Sequence, residues 1–278
     1  AARRPTGRVW HVRGEAHRQV RAANLPAAQV EQVVDLVTDQ TLALASVRLT
    51  PMGDGIEEPA ELRRQDGSSV YEIAGSAVYT SEDILAAEQR LVHTAGLGDG
   101  HRASGDAVAL ALLEQAANGV SLNPGQTALV TGMATSGNRL QLAIAPAGTG
   151  KTTAMRALTA VWVEDGGTVL GLAPSAAAAA VLREQTGATT DTLAKLTWSL
   201  AHDDLPDWAR AIDARTLVVI DEAGMADTLS LDTAVQFVTA RGGQVRLIGD
   251  TQQLAAIGAG GVLRDIAATH GARHLTEL

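Results

Sequence analysis

The residues with the clearest chemical signature form a glycine-rich turn, APAGTGKTT at residues 145–153. Such a turn, between a strand and a helix, directs several backbone N–H groups and the positive end of a helix dipole at one point, which suits a polyphosphate. Lys151 adds a mobile charge for the β- and γ-phosphates, and the Thr152 hydroxyl can ligate Mg²⁺. The P-loop pattern has glycine where Ala145 stands, so the match is one residue short of strict. The alternative to a P-loop is a turn in which Gly and Lys are adjacent by chance.

Two adjacent acids follow another apolar run, LVVI at residues 217–220. Asp221 can hold Mg²⁺ through water, and Glu222 is placed to polarise a water that attacks a γ-phosphate. On its own, an Asp-Glu pair after a strand is more often a helix N-cap. A further run ends in GDTQQLAAIGAGG at residues 249–261, which adds an acid and two amides. Three phosphate-type elements at successive strand ends predict nucleoside triphosphate binding.

The elements that must position these residues alternate along the second half of the chain. Short apolar runs alternate with segments of helical composition, which predicts βα units and a parallel sheet covered by helices on both faces. Ligands bind such α/β sheets at the carboxyl ends of the strands. The apolar runs are residues 140–145, 168–173, 217–220 and 245–248, and the helical segments are residues 152–164, 175–185, 191–201 and 227–241.

The opening part of the chain has a different pattern. We predict a small α+β module over residues 1–79. Helix is expected over residues 14–37, with a break near Pro26. The alternating segment 41–50 reads as a strand, and one or two further short strands are expected within residues 69–79.

A helical lead-in is predicted over residues 80–120, between this module and the glycine-rich turn. Helices are expected at residues 81–95 and 106–117. The glycine-rich segment 96–105 between them is predicted to be a loop and a possible domain boundary. Residues 123–125, Asn-Pro-Gly, read as a turn.

Length and composition narrow the class of protein. The chain has 278 residues, 46% of them hydrophobic, a formal net charge of -9 and no cysteine. These values are typical of a globular chain and exclude disulfides and thiolate chemistry. No apolar run approaches the ~20 residues that a membrane span needs, and no secretory signal is apparent, so we expect the cytoplasm. The first 21 residues contain six arginines and one acid. This basic segment is either a solvated helix face or an arm that contacts phosphates.

The series APAGTGKTT, VVIDEAG and GDTQQLAAIGAGG resembles motifs I, II and III of superfamily 1 DNA helicases. The resemblance is strongest to the RecD-like branch and to the helicase part of conjugative relaxases of the TraI/TrwC type, and it covers residues 80–278. It implies a RecA-like ATP-binding motor domain over residues 121–278, with ATP and Mg²⁺ as cofactors. We expect no second motor domain in the residues after the third motif, and we therefore expect the chain to bind nucleotide and to hydrolyse it slowly.

The same resemblance assigns roles at the nucleotide site. Lys151, Glu222 and Gln253 would be the catalytic residues, with Gln253 sensing the γ-phosphate and Asp250 beside the magnesium shell. Gln126, in LNPGQTALV, would read the adenine edge, although a solvent-facing helix residue is the alternative. Thr152 and Asp221 would be the ligands of Mg²⁺. ATP binding is assigned to Gln126, Ala147, Gly148, Thr149, Gly150, Lys151, Thr152 and Thr153.

Candidate contacts to single-stranded DNA come from two further segments. APSAAAA at residues 173–179 and TTDTLAKL at residues 189–196 resemble the strand-contacting motifs of these helicases. Phosphate contacts are assigned to Ser175, Thr190 and Thr192. The alternatives are that the alanine run is a packed helix and that Thr190 is the N-cap of the neighbouring helix. Trp198 either stacks on a base or belongs to the core.

These readings lead to competing functions. The first is the ATP-binding half of an ATP-dependent DNA helicase from a conjugative relaxase, with single-stranded DNA as partner and other conjugation or DNA-processing proteins as further candidates. The second is a P-loop ATPase that acts as a nucleotide-dependent switch or assembly factor without unwinding. A metabolite kinase is disfavoured, because the acid and amides after residue 249 fit a motor better than an acceptor site.

Overall fold

The computed structural model describes residues 6–23, 25–49, 59, 77–146, 148–250 and 261–275. The chain forms two compact units, Ala1–Ala86 and Ala87–Leu278. The boundary lies within a helix, Glu82–Ala95, rather than in the glycine-rich segment 96–105, which is a loop up to Ser104, the N-cap of the next helix. The functional division into residues 1–79, 80–120 and 121–278 stays a prediction. Among the described residues, no helix combines the length and the apolar character that crossing a bilayer requires.

The first unit is a small α+β module, as predicted. Two helices, α1 (Val9–Ala22) and α2 (Ala27–Leu44), pack around a core that contains Val20 and Val34. Pro26 separates the two helices. A three-stranded antiparallel sheet accompanies them, with its third strand in the middle. Its strands are β1 (Gly7–Arg8), β2 (Val47–Arg48) and β3 (Val78–Thr80).

The predicted strand over residues 41–50 is wrong in its first half. Helix α2 continues through Leu44, and only Val47 and Arg48 are extended. Leucine and alanine in TLALA are strong helix formers, and adding residues to an existing helix is easier than starting a new strand. The strands predicted within residues 69–76 lie outside the described part of the chain.

The second unit is an α/β structure built on a six-stranded parallel sheet, which confirms the predicted fold class. The strands are β4 (Leu140–Ile144), β5 (Thr168–Ala173), β6 (Thr189–Thr192), β7 (Thr216–Ile220), β8 (Gln244–Gly249) and β9 (Arg273–His274). The strand order is β6-β5-β7-β8-β4-β9. The four predicted apolar runs are the four central strands, and the edge strands β6 and β9 were not predicted.

Helices cover both faces of this sheet because alternate strand residues are apolar on each side. The helices are α3 (Glu82–Ala95), α4 (Gly105–Ala117), α5 (Pro124–Thr135), α6 (Lys151–Glu164), α7 (Ala176–Thr186), α8 (Leu193–Ala201), α9 (Asp207–Arg210), α10 (Thr228–Ala240) and α11 (Gly261–His270). In β7, Val218 and Ile220 join the core beneath α3, α8, α10 and α11, whereas Leu217 and Val219 join the core beneath α4, α5 and α6.

A carboxylate ties the loop before α4 to the turn after α6. Asp165 Oδ2 lies 2.6 Å from His101 Nε2, and Oδ1 accepts a 2.9 Å hydrogen bond from the Ser104 amide. Partial burial opposes ionisation of Asp165, but the hydrogen bonds from Ser104 and His101 outweigh it and hold its pKa below the ordinary value. These bonds therefore stabilise the fold most when Asp165 is ionised.

We predict that Asp165→Ala lowers the free energy of unfolding by about 1–2 kcal/mol at pH 7, because two hydrogen bonds to a charged group are lost. For a unit of this size, that corresponds to roughly 2–8 °C in melting temperature. Because the folded pKa is depressed, the increment is present above the ordinary carboxyl pKa and disappears as the pH falls through the folded value.

Melting curves at pH 7 and in acid test this prediction, with Asp207→Ala as the control. The Asp207 side chain is fully exposed in its pair with Arg210, so its removal should leave the melting temperature nearly unchanged. A difference between wild type and Asp165→Ala that is as large in acid as at pH 7 would contradict the account.

Candidate functional site

A cleft of about 410 Å³ opens where β4, β7 and β8 end. The glycine-rich turn follows β4, the acid pair follows β7, and Asp250 follows β8. Since β8 lies between β4 and β7 in the sheet, the three segments meet at one edge. The structure thus brings together most of the residues that the sequence assigns to the nucleotide site. The residues that line the cleft include Gly148, Gly150, Lys151, Thr152, Asp221, Glu222 and Asp250.

The backbone of the glycine-rich turn curves around the cleft in a conformation that could surround a phosphate. Gly148 and Gly150 have φ values of +82° and +80°, which glycine adopts without strain. Thr149 is buried, and its hydroxyl donates a 2.7 Å hydrogen bond to the Pro146 carbonyl, which folds the turn on itself. Helix α6 begins directly afterwards at Lys151, so its unpaired N–H groups border the cleft. Ala147 lies outside the described residues.

Ala145, in the place of the first P-loop glycine, is compatible with this geometry. Its amide donates a 2.9 Å hydrogen bond to the Gly249 carbonyl and so prolongs the pairing of β4 with β8. Among the described non-glycine residues, a positive φ occurs only at Asp203 and Glu222. The first position therefore needs no left-handed backbone, and alanine fits it.

Lys151 and Asp221 form an ion pair across the cleft. The Nζ atom lies 2.9 Å from Oδ1 and 3.2 Å from Oδ2 of the carboxylate. The two side chains keep only 29% and 15% of their surface exposed, so solvent screens their attraction weakly. Each group has the charge that a phosphate or a metal cation would attract, and each currently neutralises the other.

Glu222 is held in an unusual backbone conformation. Its φ and ψ are 51° and 38°, in the left-handed region that side chains with a Cβ rarely adopt. The Glu222 amide donates a 2.9 Å hydrogen bond to Asp221 Oδ1, which supports this conformation. Strained residues of this kind persist where the surrounding structure determines them, and they are frequent at active sites.

The oxygen donors of the cleft fit Mg²⁺. The Thr152 hydroxyl and the Asp221 carboxylate both line it. Among the described residues, no group of three or more histidines and acids could hold a metal alone. Magnesium usually binds through one or two protein oxygens together with substrate phosphates, so this small donor set suits it.

Gln126 lies beside the turn, at the start of α5. The predicted turn over residues 123–125 is the N-terminus of that helix, with Asn123 as N-cap and proline in the first turn, both of which favour helix starts. Gln126 is only 7% exposed, so the solvent-facing alternative is wrong. Its Nε2 donates a 3.1 Å hydrogen bond to the Gly150 carbonyl. Recognition of the adenine edge by Gln126 stays a prediction. The other predicted glutamine of the site, Gln253, lies outside the described residues.

Two of the candidate DNA contacts cap helices at the same edge of the sheet. Ser175 Oγ accepts a hydrogen bond from the Ala178 amide, and Thr192 Oγ1 accepts one from the Lys195 amide. Ser175 follows β5 and Thr192 ends β6, which are neighbouring strands. Both residues are therefore helix N-caps, a role that is compatible with a position near a bound strand, whereas the N-cap expected as the alternative at Thr190 is at Thr192 instead.

The assignment of Thr190 to DNA contact is corrected by its burial. Only 4% of this residue is exposed. Its hydroxyl donates a 2.7 Å hydrogen bond to the Ala179 carbonyl and accepts one from Arg183 Nε. The side chain thus links β6 to α7 inside the fold, where a strand in solvent cannot reach it.

Trp198 is half-exposed on α8, so the core alternative is wrong. His202 stacks against the indole with ring centroids 4.2 Å apart, and Lys195 Nζ lies 5.0 Å from the ring centre. Lys195 and His202 precede and follow Trp198 on one helix face. A base would stack on this indole only if one of these neighbours moved aside.

We predict that Glu222→Gly melts at a higher temperature than Glu222→Ala. Both changes remove the carboxylate, but only glycine relieves the left-handed strain, which is worth about 1 kcal/mol after its greater flexibility in the unfolded chain is subtracted. The expected difference is roughly 2–4 °C for a unit of this size. Equal melting temperatures would show that the backbone at Glu222 is not strained.

Comparison with known proteins identifies the family of the part of the chain that contains this cleft. A model of the AAA domain family matches residues 121–278, more than half of the chain. The chain is 35% identical over 129 residues to a "Probable conjugal transfer protein TraA" of Sinorhizobium fredii, and 34% identical over 131 residues to a conjugal transfer protein TraA of Rhizobium radiobacter. Each match covers 46% of this chain and 11% of the relative, so the chain spans about a tenth of the length of these relatives. The chain therefore belongs to the AAA domain family, and within it to the RecD-like helicase type that its motifs predict.

Proposed function

We propose that this chain is the ATP-binding motor unit of a DNA helicase or translocase that serves conjugative transfer. The observation that carries the proposal is the meeting of Lys151, Asp221 and Glu222 in one cleft at the carboxyl ends of β4 and β7. A phosphate-binding turn, a metal-binding acid and a second acid beside it are the parts that nucleotide hydrolysis requires.

Each group has a distinct task in the proposed reaction. Lys151 leaves Asp221 and contacts the β- and γ-phosphates, while the N–H groups at the start of α6 surround the β-phosphate. Thr152 and Asp221 would hold Mg²⁺, which neutralises phosphate charge when bound. Glu222 accepts the proton of the attacking water, a role that its neighbour Asp221 cannot take while it binds the metal.

The sheet supports a link between this cleft and a DNA strand. Strand β5, which precedes Ser175, pairs directly with β7, which precedes Asp221. The Asp221 amide donates a 2.9 Å hydrogen bond to the Leu172 carbonyl at the end of β5. A displacement of Asp221 during the nucleotide cycle would therefore reach the β5–α7 junction through one hydrogen bond. The names of the similar proteins, conjugal transfer proteins, favour DNA as the substrate that moves.

A nucleotide-dependent switch is the second candidate function. It would use the same cleft and the same ion pair, with the two charged groups exchanging partners when nucleotide binds. Stimulation of hydrolysis by single-stranded DNA separates the two, because a switch without strand movement has no reason to respond to it.

We predict that Lys151→Ala weakens binding of Mg-ATP about 30- to 150-fold, because a charge-assisted phosphate contact worth ~2–3 kcal/mol is lost. Lys195→Ala is the matched control, since it removes the chain's other lysine from an exposed position on α8. Titration with a non-hydrolysable ATP analogue measures both affinities. If Lys151→Ala bound the analogue with unchanged affinity, the assignment of the nucleotide site to this cleft would be wrong.

We predict that Glu222→Gln, placed in the complete protein, retains ATP affinity and loses turnover by at least ~100-fold, because the amide cannot accept a proton. Phosphate release with and without single-stranded DNA is the measurement. Stimulation of the wild type by DNA supports a motor, and a DNA-independent rate supports a switch. Undiminished turnover in Glu222→Gln would assign the base to another residue.

A further inference from the structure

A second cavity lies at the end of the sheet opposite the nucleotide cleft. It has a volume of about 220 Å³ and opens where β4 begins and where the chain turns from α11 into β9. The residues that line it include Leu140 and Gln141 of β4, His270 at the end of α11 and Arg273 of β9. None of the residues assigned to ATP or DNA contact lines it, so the proposed function gives this cavity no role.

Gln141 brings a polar group to this cavity from inside the protein. The residue is only 9% exposed, between the core residues Leu140 and Leu142. Its Oε1 accepts a 3.3 Å hydrogen bond from Ser136 Oγ, whereas its Nε2 has no partner among the described residues. In that part of the chain only Ser199 Oγ is both unpaired and sealed from solvent, so the Gln141 Nε2 faces the cavity. Buried donors without an acceptor are costly, and a ligand in the cavity would supply one.

Two further side chains bring donors to the cavity and use none of them. The Arg273 guanidinium lies against Gly132 of α5, where a Cβ would come within 2.9 Å of Cζ. The His270 ring lies against Gly96, where a Cβ would come within 2.9 Å of Cε1. Neither side chain has a hydrogen bond or an ion pair with any described residue. Arginine has five N–H donors, and imidazole has at least one in either protonation state, so the cavity is rich in free donors.

The charges around the cavity favour an anion. Among the described residues that line it, none is acidic. Behind it, the fully buried Arg246 donates a 2.9 Å hydrogen bond to the carbonyl of Asn138, which is also a lining residue. The other acceptors of Arg246 are carbonyl, hydroxyl and amide oxygens, so no carboxylate balances its charge within the described structure. Asp99, an acid beside the start of β4, is already paired with Arg139.

Helix dipoles and size select among anions. Helix α3 ends at Ala95 and α11 ends at His270, so the partly negative ends of two helices border the cavity. These ends oppose a doubly charged phosphate more strongly than a singly charged carboxylate. The volume of about 220 Å³ is also below the ~300–1,000 Å³ of pockets for larger ligands, so a second nucleotide does not fit.

We propose that this cavity binds a carboxylate, which is presented either by a small organic acid or by an acidic side chain of a partner protein. The Arg273 guanidinium would contact both carboxylate oxygens, since a planar guanidinium and a planar carboxylate share two parallel hydrogen bonds. Gln141 Nε2 would donate to the same group from inside the protein, and His270 would add an N–H from the end of α11.

The test is a titration of ¹⁵N-labelled protein with sodium propionate, followed by NMR. We expect saturable shifts of the Gln141 side-chain amide and of the Arg273 backbone amide. Propionamide, a neutral molecule of the same shape, and sodium chloride at matched ionic strength should give no saturable shift. Arg273→Gln should weaken propionate at least about 10-fold, because a charge-assisted contact is lost, and Gln141→Leu about 3- to 10-fold. The binding to each variant is followed on the signals of the other residue.

Arg264→Gln is the matched control, since Arg264 is an exposed arginine of α11 that does not line the cavity. It should keep the wild-type affinity. Lys151→Ala should keep it too, because the nucleotide cleft lies at the other end of the sheet. A capped Gly-Glu-Gly peptide, whose side chain ends in the same group as propionate, distinguishes the sources. Tighter binding of the peptide assigns the site to a partner protein, and equal or weaker binding assigns it to a free acid.

The absence of a saturable shift with both propionate and the peptide would overturn the inference, as would equal propionate affinity in the wild type and Arg273→Gln. Tighter binding of inorganic phosphate than of propionate would show that the class of anion is wrong. If Gln141→Leu does not fold, the exposed Arg273 still provides the comparison.

Discussion

The ion pair between Lys151 and Asp221 is the contact on which the cleft depends. It joins the start of α6, after the turn that follows β4, to the end of β7, and both partners are mostly buried. Losing one partner alone would leave a charge in a poorly solvated place, at a cost of several kcal/mol. A polyphosphate and a divalent cation that arrive together supply a new partner for each group, and neither does so alone. Under the proposed function, the pair would thus favour joint binding of nucleotide and metal over binding of the nucleotide alone or of the metal alone.

Much of the fold was predictable because the central strands are buried on both faces. Such strands read as continuous apolar runs, and the runs predicted around residues 168 and 217 coincide with β5 and β7 within one residue. Strand β6 was missed because its sequence, TTDT, is polar and lies at the edge of the sheet. The helical end of α2 was missed because alternation in TLALA fits a strand and composition fits a helix, so only packing decides.

The candidate site divides in the same way into local and long-range features. The glycine-rich turn and the acid pair are contiguous motifs, so their residue types alone predict that they meet at strand ends. The bond from Gln126 to Gly150 spans 24 residues, and no local pattern signals it. Arg246 interrupts the apolar strand β8 for a reason visible only in three dimensions, because it binds carbonyls at the end of α5. Burial lowers its pKa to about 9, which leaves it charged and able to donate at neutral pH.

These long-range contacts give the cleft one rigid side and one strained side. The turn before α6 is supported by Gln126, on a helix whose far end is tied to β8 through Arg246. The opposite side consists of Asp221, shared between Lys151 and the Glu222 amide, and of Glu222 in a left-handed conformation. In the proposed reaction, turning Lys151 toward a phosphate would cost Asp221 one of its partners, whereas the glycine-rich turn would keep its own support. Under the proposed function, the change would therefore fall on the β7 end, which is hydrogen-bonded to β5, and nucleotide binding would act on Ser175 and α7.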